Sequence, residues 1–250
     1  MDKSPDELIY GRQPVLEALR ASRPLRKILV SRSSRPSGAV RAILDHARQQ
    51  DIAVQFVDQR RLDELVSGNH QGVVAMASAK PLGSIEQILN AARTSGKPPL
   101  VLVLDGVEDP ANLGAILRTA DGAGVHGVII PKHRAVGLTG VVARTSAGAI
   151  EHVPVAQVTN LVSALEELKA AGLWVVGADP KAPQNLYEID LTPPLVLVIG
   201  GEGKGLRRLV REHCDLLIRL PMHGSMSSLN VAVAAGVLLF EIVRQREARS

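Results

Sequence analysis

The chain has 250 residues, 46% of them hydrophobic, with 29 Lys plus Arg against 25 Asp plus Glu, which excludes a disordered, collagenous or low-complexity protein. The length suits one large domain or two ordinary ones, either with a sizeable core. A single cysteine, Cys214, excludes a disulfide framework or a Cys-rich zinc site, fits a reducing compartment, and reads most simply as a small buried hydrophobe.

The opening MDKSPDELIYG has acids where a signal peptide needs a basic start and an apolar core, so a cytoplasmic protein is expected. Residues 13–20 read as a helix around Pro14, 27–31 (KILVS) as a strand, and 39–50 as a helix with Val40, Ile43, Leu44 and Ala47 on one face. Two further strands, 53–57 and 72–77, flank a short helix at 59–65. Together these predict a small αβαβ domain over 1–79. Pro81, Gly83, Gly96, Pro98 and Pro99 surround one amphipathic helix, 85–93, and mark 80–98 as a linker.

Over 99–250 the chain alternates: strands at 100–104, 127–131, 173–178, 195–199 and 216–220, and helices at 113–123, 161–171, 206–212 and 229–246. Continuous apolar strands between helices predict a doubly wound parallel sheet with helices on both faces and ligands at the carboxyl ends of its strands. The longest apolar run, 231–240, is far short of the roughly 20 residues of a membrane span, so no membrane partner is expected.

Charge is unevenly placed. Residues 1–80 hold 13 Lys plus Arg and 9 Asp plus Glu, so the net +4 belongs to them alone. Between 18 and 44 there is no acid, while Arg20, Arg23, Arg26, Lys27, Arg32, Arg35 and Arg41 occur. This reads as a phosphate-binding patch or, more simply, as a solvated basic surface. Aromatic residues are scarce, which argues against a base-stacking platform.

Three loops at strand ends are too polar or glycine-rich to be mere connectors. In DGVEDPANLGAILR, 105–118, Asn112 stands where a helix cap would be, and Arg118 is a cation on an apolar helical stretch, either snorkelling or functional. In IGGEGKG, 199–205, the glycines permit close backbone approach around Glu202, without the spacing of a Walker A loop or a dinucleotide fingerprint. The formal GxGxxG at Gly122, Gly124 and Gly127 runs from helix into strand and is discarded. In LPMHGSMSSLN, 220–230, Ser227 or Ser228 could cap the last helix, with Asn230 in its first turn. Mixed apolar and polar elements there suit the wall of a small-molecule pocket.

DPANLGAILRTA, IGGEGKGL and LPMHGSMSSLNVAVAAG resemble the three successive motifs of the SpoU (TrmH-type) branch of the SPOUT RNA 2′-O-ribose methyltransferases. IYGRQPVLEAL and NHQGVVA resemble that family's small substrate-binding domain of the L30e type, so the resemblance covers essentially the whole chain. Departures are few: Leu220 where Ile is usual, Ala232 where Ser is frequent, and Gly201 and Lys204 where Ala and Glu are frequent.

The resemblance implies a fold that periodicity cannot show, a SPOUT-type parallel sheet whose C-terminal segment is threaded as a deep trefoil knot, and it implies a homodimer. It implies S-adenosyl-L-methionine as methyl donor, lying on the backbone of Gly200, Leu220 and Leu229, with Gly177, Gly201 and Met222 as further walls, and no metal. Arg118 would handle the ribose hydroxyl. Because a guanidinium keeps its protons, its expected part is an electrostatic clamp on the target phosphate and developing alkoxide. Asn112, Ser228 and Asn230 would orient that group and the substrate, and Glu202 would hold Arg118 or accept hydrogen bonds from the substrate. The implied RNA is 23S ribosomal RNA, at a guanosine of its P loop in the pattern this sequence most resembles. The alternatives are a tRNA 2′-O-methyltransferase and a non-catalytic RNA-binding module; a nucleotide-dependent oxidoreductase is disfavoured by the missing fingerprint.

Overall fold

The computed structural model describes residues 7–34, 37–78, 80–133 and 135–249; Arg35 of the basic cluster lies outside them. The chain forms two compact units, one of Met1–Pro81 with Gly137–His152, the other of Leu82–Val136 with Val153–Ser250.

The first unit is built on a four-stranded mixed sheet in the order β1-β4-β2-β3. Its strands are β1 (Glu7–Tyr10), β2 (Leu25–Ser31), β3 (Ala53–Val57) and β4 (Val73–Ala77), alternating with α1 (Arg12–Arg20), α2 (Gly38–Gln49) and α3 (Gln59–Leu65). β4 pairs antiparallel with β1 and β2, and β3 lies parallel to β2. The later segment carrying α6 (Gly140–Thr145) packs here too: Glu151 reaches Arg23, and the Arg144 guanidinium lies 5.6 Å from the centroid of the Tyr10 ring.

That packing corrects the reading of the basic patch. Arg23 is buried, donating to Glu7 and Glu151 at 2.6 Å each and to the Ser78 carbonyl at 3.0 Å, because two buried carboxylates require a matching charge. Arg20 pairs with Glu17 at 2.9 Å. Arg26, Arg32 and Arg41 are exposed and Lys27 is half-buried.

The second unit carries a seven-stranded sheet in the order β7-β6-β5-β10-β8-β11-β9, parallel throughout. The strands are β5 (Leu100–Asp105), β6 (Gly127–Pro131), β7 (Val155–Val158), β8 (Trp174–Ala178), β9 (Gln184–Asn185), β10 (Leu195–Gly200) and β11 (Leu216–Arg219). Val101, Val103, Val196 and Val198 pack into one core with Ile85, Ile88 and Leu89 of α4 (Ile85–Thr94), Leu161, Leu165 and Leu168 of α7 (Leu161–Ala170), and Val210 of α8 (Arg208–Glu212). Strand alternation turns Leu102, Leu104, Leu197 and Ile199 to the other face, which α5 (Pro110–Gly122) and α9 (Val231–Glu247) cover. Hence β5 and β10 are apolar up to their last residues, Asp105 and Gly200. The chain crosses between β5 and β10, and that switch point opens the crevice at the strands' carboxyl ends.

Candidate functional site

Asp105, the last residue of β5, is buried and holds the glycine loop after β10. Its carboxylate accepts from the backbone N–H of Arg207 at 2.8 Å and from Arg207 Nε, and its carbonyl accepts from the Gly201 N–H at 2.9 Å. The loop then folds back on itself, Gly205 N–H donating to the Gly201 carbonyl at 3.1 Å. A Cβ on Gly200 would strike the Gly205 backbone, and one on Gly201 the Gly106 carbonyl. The glycines expected to admit a ligand are therefore needed first for backbone-on-backbone packing.

Two corrections concern helix caps. The N-cap of α5 is Asp109, whose carboxylate accepts from the N–H groups of Ala111 at 3.1 Å and Asn112 at 3.3 Å, with Pro110 as the first helical residue. The N-cap of α9 is Asn230, whose Oδ1 accepts from Ala232 N at 3.0 Å and Val233 N at 3.3 Å, so neither Ser227 nor Ser228 caps it. Relieved of capping, the Asn112 side chain joins a cluster at the crevice. Glu202 Oε1 accepts from Asn230 Nδ2 at 2.6 Å, Asn112 Nδ2 at 3.4 Å and the Val231 N–H at 3.4 Å, while Asn230 Nδ2 also donates to Asn112 Oδ1 at 3.0 Å. Glu202 Oε2 has no polar partner among the described residues. Glu202 is thus bound by the two amides and not by Arg118, which is exposed on α5 with no polar partner among the described residues.

A cavity of about 730 Å³ opens beyond this cluster, over the ends of β10, β8 and β11, within the range of small-molecule sites. Gly200, Gly201, Leu220, Met222, Ser228 and Leu229 all line it, as do Glu202 and Asn230. Gly177 does not. It is buried within β8, where a Cβ would meet Cys214 Sγ at 2.7 Å and Leu217 Cδ2 at 2.8 Å, so its hydrogen serves core packing. Burial pushes the Cys214 thiol up to about 12, consistent with a packing residue.

Several walls were not foreseen. Pro180, Lys181 and Met226 line the large cavity, and a second cavity of about 270 Å³, bounded by Asp105, Glu108, Lys204 and Arg207, shares Gly201, Glu202, Gly205 and Val231 with it. A carboxylate ending an apolar strand was the available signal for Asp105. Among the described residues no group of His, Cys, Asp and Glu is arranged to hold a metal ion, and no helix is long and apolar enough to cross a membrane.

The large cavity combines apolar walls, Ile199, Ile218 and Leu238, with turns of exposed backbone and two anchored carboxylates, Glu202 and Asp179, the latter paired with Arg211 at 2.6 Å. Such a crevice has the volume and mixed lining of a small-molecule site, placed at the strand ends of an α/β sheet with a second cavity adjoining it. The chain belongs to the SpoU rRNA methylase family, whose model matches residues 99–240; residues 8–82 match the model for RNA 2′-O ribose methyltransferase substrate binding. It is an RNA 2′-O-methyltransferase of that family. The relative RlmB of Pseudomonas putida, named a 23S rRNA (guanosine-2′-O-)-methyltransferase, is 48% identical over 97% of this chain and 98% of its own. YacO of Bacillus subtilis, named for the TrmH family of tRNA/rRNA methyltransferases, is 47% identical over 96% of each. The solved structure of AviRb from Streptomyces viridochromogenes, a SpoU methyltransferase in complex with AdoMet, superposes with a TM-score of 0.81 at 30% identity, covering 98% of this chain and 92% of that one.

Proposed function

We propose that the chain transfers a methyl group from S-adenosylmethionine to the ribose 2′-hydroxyl of a guanosine in 23S rRNA, at the P loop. The observation that carries the reading is the Asn112–Glu202–Asn230 cluster, in which Asn112 lines the smaller cavity, Asn230 the larger and Glu202 both. The guanosine and the rRNA rest on similarity to RlmB proteins; a tRNA substrate is the second reading, favoured by the comparable identity to YacO.

The cofactor fits the large cavity, where Gly200, Gly201, Leu220, Met222 and Leu229 would hold it and where the Glu202 carboxylate suits a sulfonium cation. Bound there, it supplies an electrophilic methyl group. The protein's residues then have to orient one hydroxyl and stabilise the alkoxide that develops on it. Glu202, tethered through Oε1, presents Oε2 to accept a hydrogen bond from the substrate beside the reacting hydroxyl. Asn112 and Asn230 fix the carboxylate, and Ser228 contributes a further hydroxyl to the wall. Arg118 reaches the RNA, clamping a phosphate beside the alkoxide, with the proton passing to phosphate or water, since a guanidinium is a poor base.

The same reading includes a cytoplasmic homodimer and the trefoil knot that the family resemblance implies. The dimer is supported by an apolar stripe on α9, where Val233, Val237 and Phe240 are exposed at the spacing of one helical face, near exposed Met226 and Leu229. Calorimetry and methyl transfer to a 23S rRNA transcript test the function. Heat of binding with S-adenosylhomocysteine and label recovered as 2′-O-methylguanosine are expected; binding of NAD with no response to S-adenosylhomocysteine would overturn the reading.

A further inference from the structure

The smaller cavity lies between the carboxyl ends of β5 and β10, at the switch point of the sheet, and shares Glu202 with the cofactor crevice. Three of the six charged side chains around it are held by the protein. Asp109 caps α5, Asp105 is bound to Arg207, and Glu202 Oε1 is held by the two asparagines. Three groups are not engaged. Lys204 is exposed at the tip of the folded-back glycine loop and has no hydrogen-bond or ion-pair partner among the described residues. Arg207 is anchored by its backbone N–H and Nε to a fully buried carboxylate, which leaves its two Nη groups without a partner among the described residues, on a side chain 46% exposed. The third is the Glu108 carboxylate, on the loop that follows β5.

We infer that Lys204 and Arg207 form a cationic hook for an RNA phosphodiester adjoining the target ribose, with the smaller cavity receiving that nucleotide. The inference rests on the methyltransferase reading above. Anchoring at Nε fixes the plane of the guanidinium without using its fork, the part that binds two phosphate oxygens, and the ammonium two residues past Glu202 adds a mobile point charge. Because Glu202 lies in both walls, a nucleotide held at Oε2 has the smaller cavity beside it, where a neighbouring phosphate meets the hook. Glu108 opposes the hook electrostatically and limits how tightly RNA is held there. S-adenosylmethionine carries no phosphate, and its one anionic group is the methionine carboxylate; Lys204 and Arg207 line the smaller cavity and not the cofactor crevice, so the hook belongs to the RNA.

The test uses the full chain and a 23S rRNA transcript, with Lys204→Ala, Lys204→Glu, Lys204→Arg and Glu108→Gln. Loss of one charge-assisted contact predicts an RNA half-saturation concentration raised about tenfold by Lys204→Ala and further by Lys204→Glu, with turnover at saturating RNA within about twofold of wild type. Lys204→Arg should stay near wild type, and Glu108→Gln should bind RNA more tightly. The salt slope of RNA binding should fall by about 0.7–0.9 for Lys204→Ala, the loss of one phosphate. Affinity for S-adenosylhomocysteine, measured by calorimetry, should be the same in all variants. An unchanged half-saturation and salt slope in Lys204→Glu would overturn the hook, as would a loss of turnover at unchanged half-saturation. Failure of the wild-type chain to bind S-adenosylhomocysteine or to methylate any RNA would instead overturn the methyltransferase reading.

Discussion

Asn230 has two functions through opposite ends of one amide: Oδ1 caps α9, and Nδ2 donates to Glu202 at 2.6 Å and Asn112 at 3.0 Å. Asn230→Ser separates them, because serine caps a helix about as well as asparagine but offers no donor that reaches Glu202. Asn230 and Glu202 are both exposed, so the lost charge-assisted bond should cost at most about 1 kcal/mol of stability rather than the 1.5–3 kcal/mol of a buried one. For a protein of this size that is a melting-temperature shift of about 2–4 °C. Turnover should respond far more. With Glu202 retained only by Asn112 and the Val231 N–H at 3.4 Å each, the carboxylate is free to move by an ångström or so, which typically lowers a rate about 100-fold. The assay is methyl transfer from labelled S-adenosylmethionine, with calorimetry for cofactor affinity and thermal unfolding for stability. Turnover above half of wild type at normal cofactor affinity would refute a catalytic role for the cluster.

Three other outcomes are expected. Arg23→Ala should destabilise the protein by about 3–5 kcal/mol in urea titration, since it strands Glu7 and Glu151 with Lys80 alone nearby, and RNA affinity of the folded fraction should be unchanged. Phe240→Asp should shift the species seen by sedimentation equilibrium from dimer to monomer, and an unaltered mass would argue against α9 as the interface. His126 accepts from the Leu100 N–H at 3.0 Å and lies 2.8 Å from Ser95 Oγ, and burial holds its pKa below the usual histidine value. The unfolded chain therefore takes the proton first. This stability is fully present above about pH 6.5 and is lost as pH falls through the lower folded-state value, so His126→Gln should flatten that part of the melting-temperature profile.

Strands buried on both faces were the easiest elements to read, because β5 and β10 need apolar side chains at every position before their last residues, Asp105 and Gly200. The missed elements are short: β1 and β7 have four residues each, β9 two, and α6 six, too few to establish a period. No local pattern marks 137–152 as packing with the first unit, since what fixes it there is distant, Arg23 and Tyr10 among others. In the site, Asn112, Glu202 and Asn230 were legible as a group through their motifs. The caps were not, although an Asp before a Pro at the start of a helix is a strong signal and should have favoured Asp109 over Asn112. Arg23 was misread because a run of cations along the sequence says nothing about which of them meets a buried carboxylate.

The most direct test of the central claim is mass-spectrometric mapping of 2′-O-methyl groups in rRNA and tRNA from cells with and without the gene. Loss of a single 2′-O-methylguanosine from the P loop of 23S rRNA, restored by the wild-type chain and not by Glu202→Ala, is predicted. An intact rRNA pattern with a methyl group missing from tRNA, or no missing methyl group in either RNA, would contradict it.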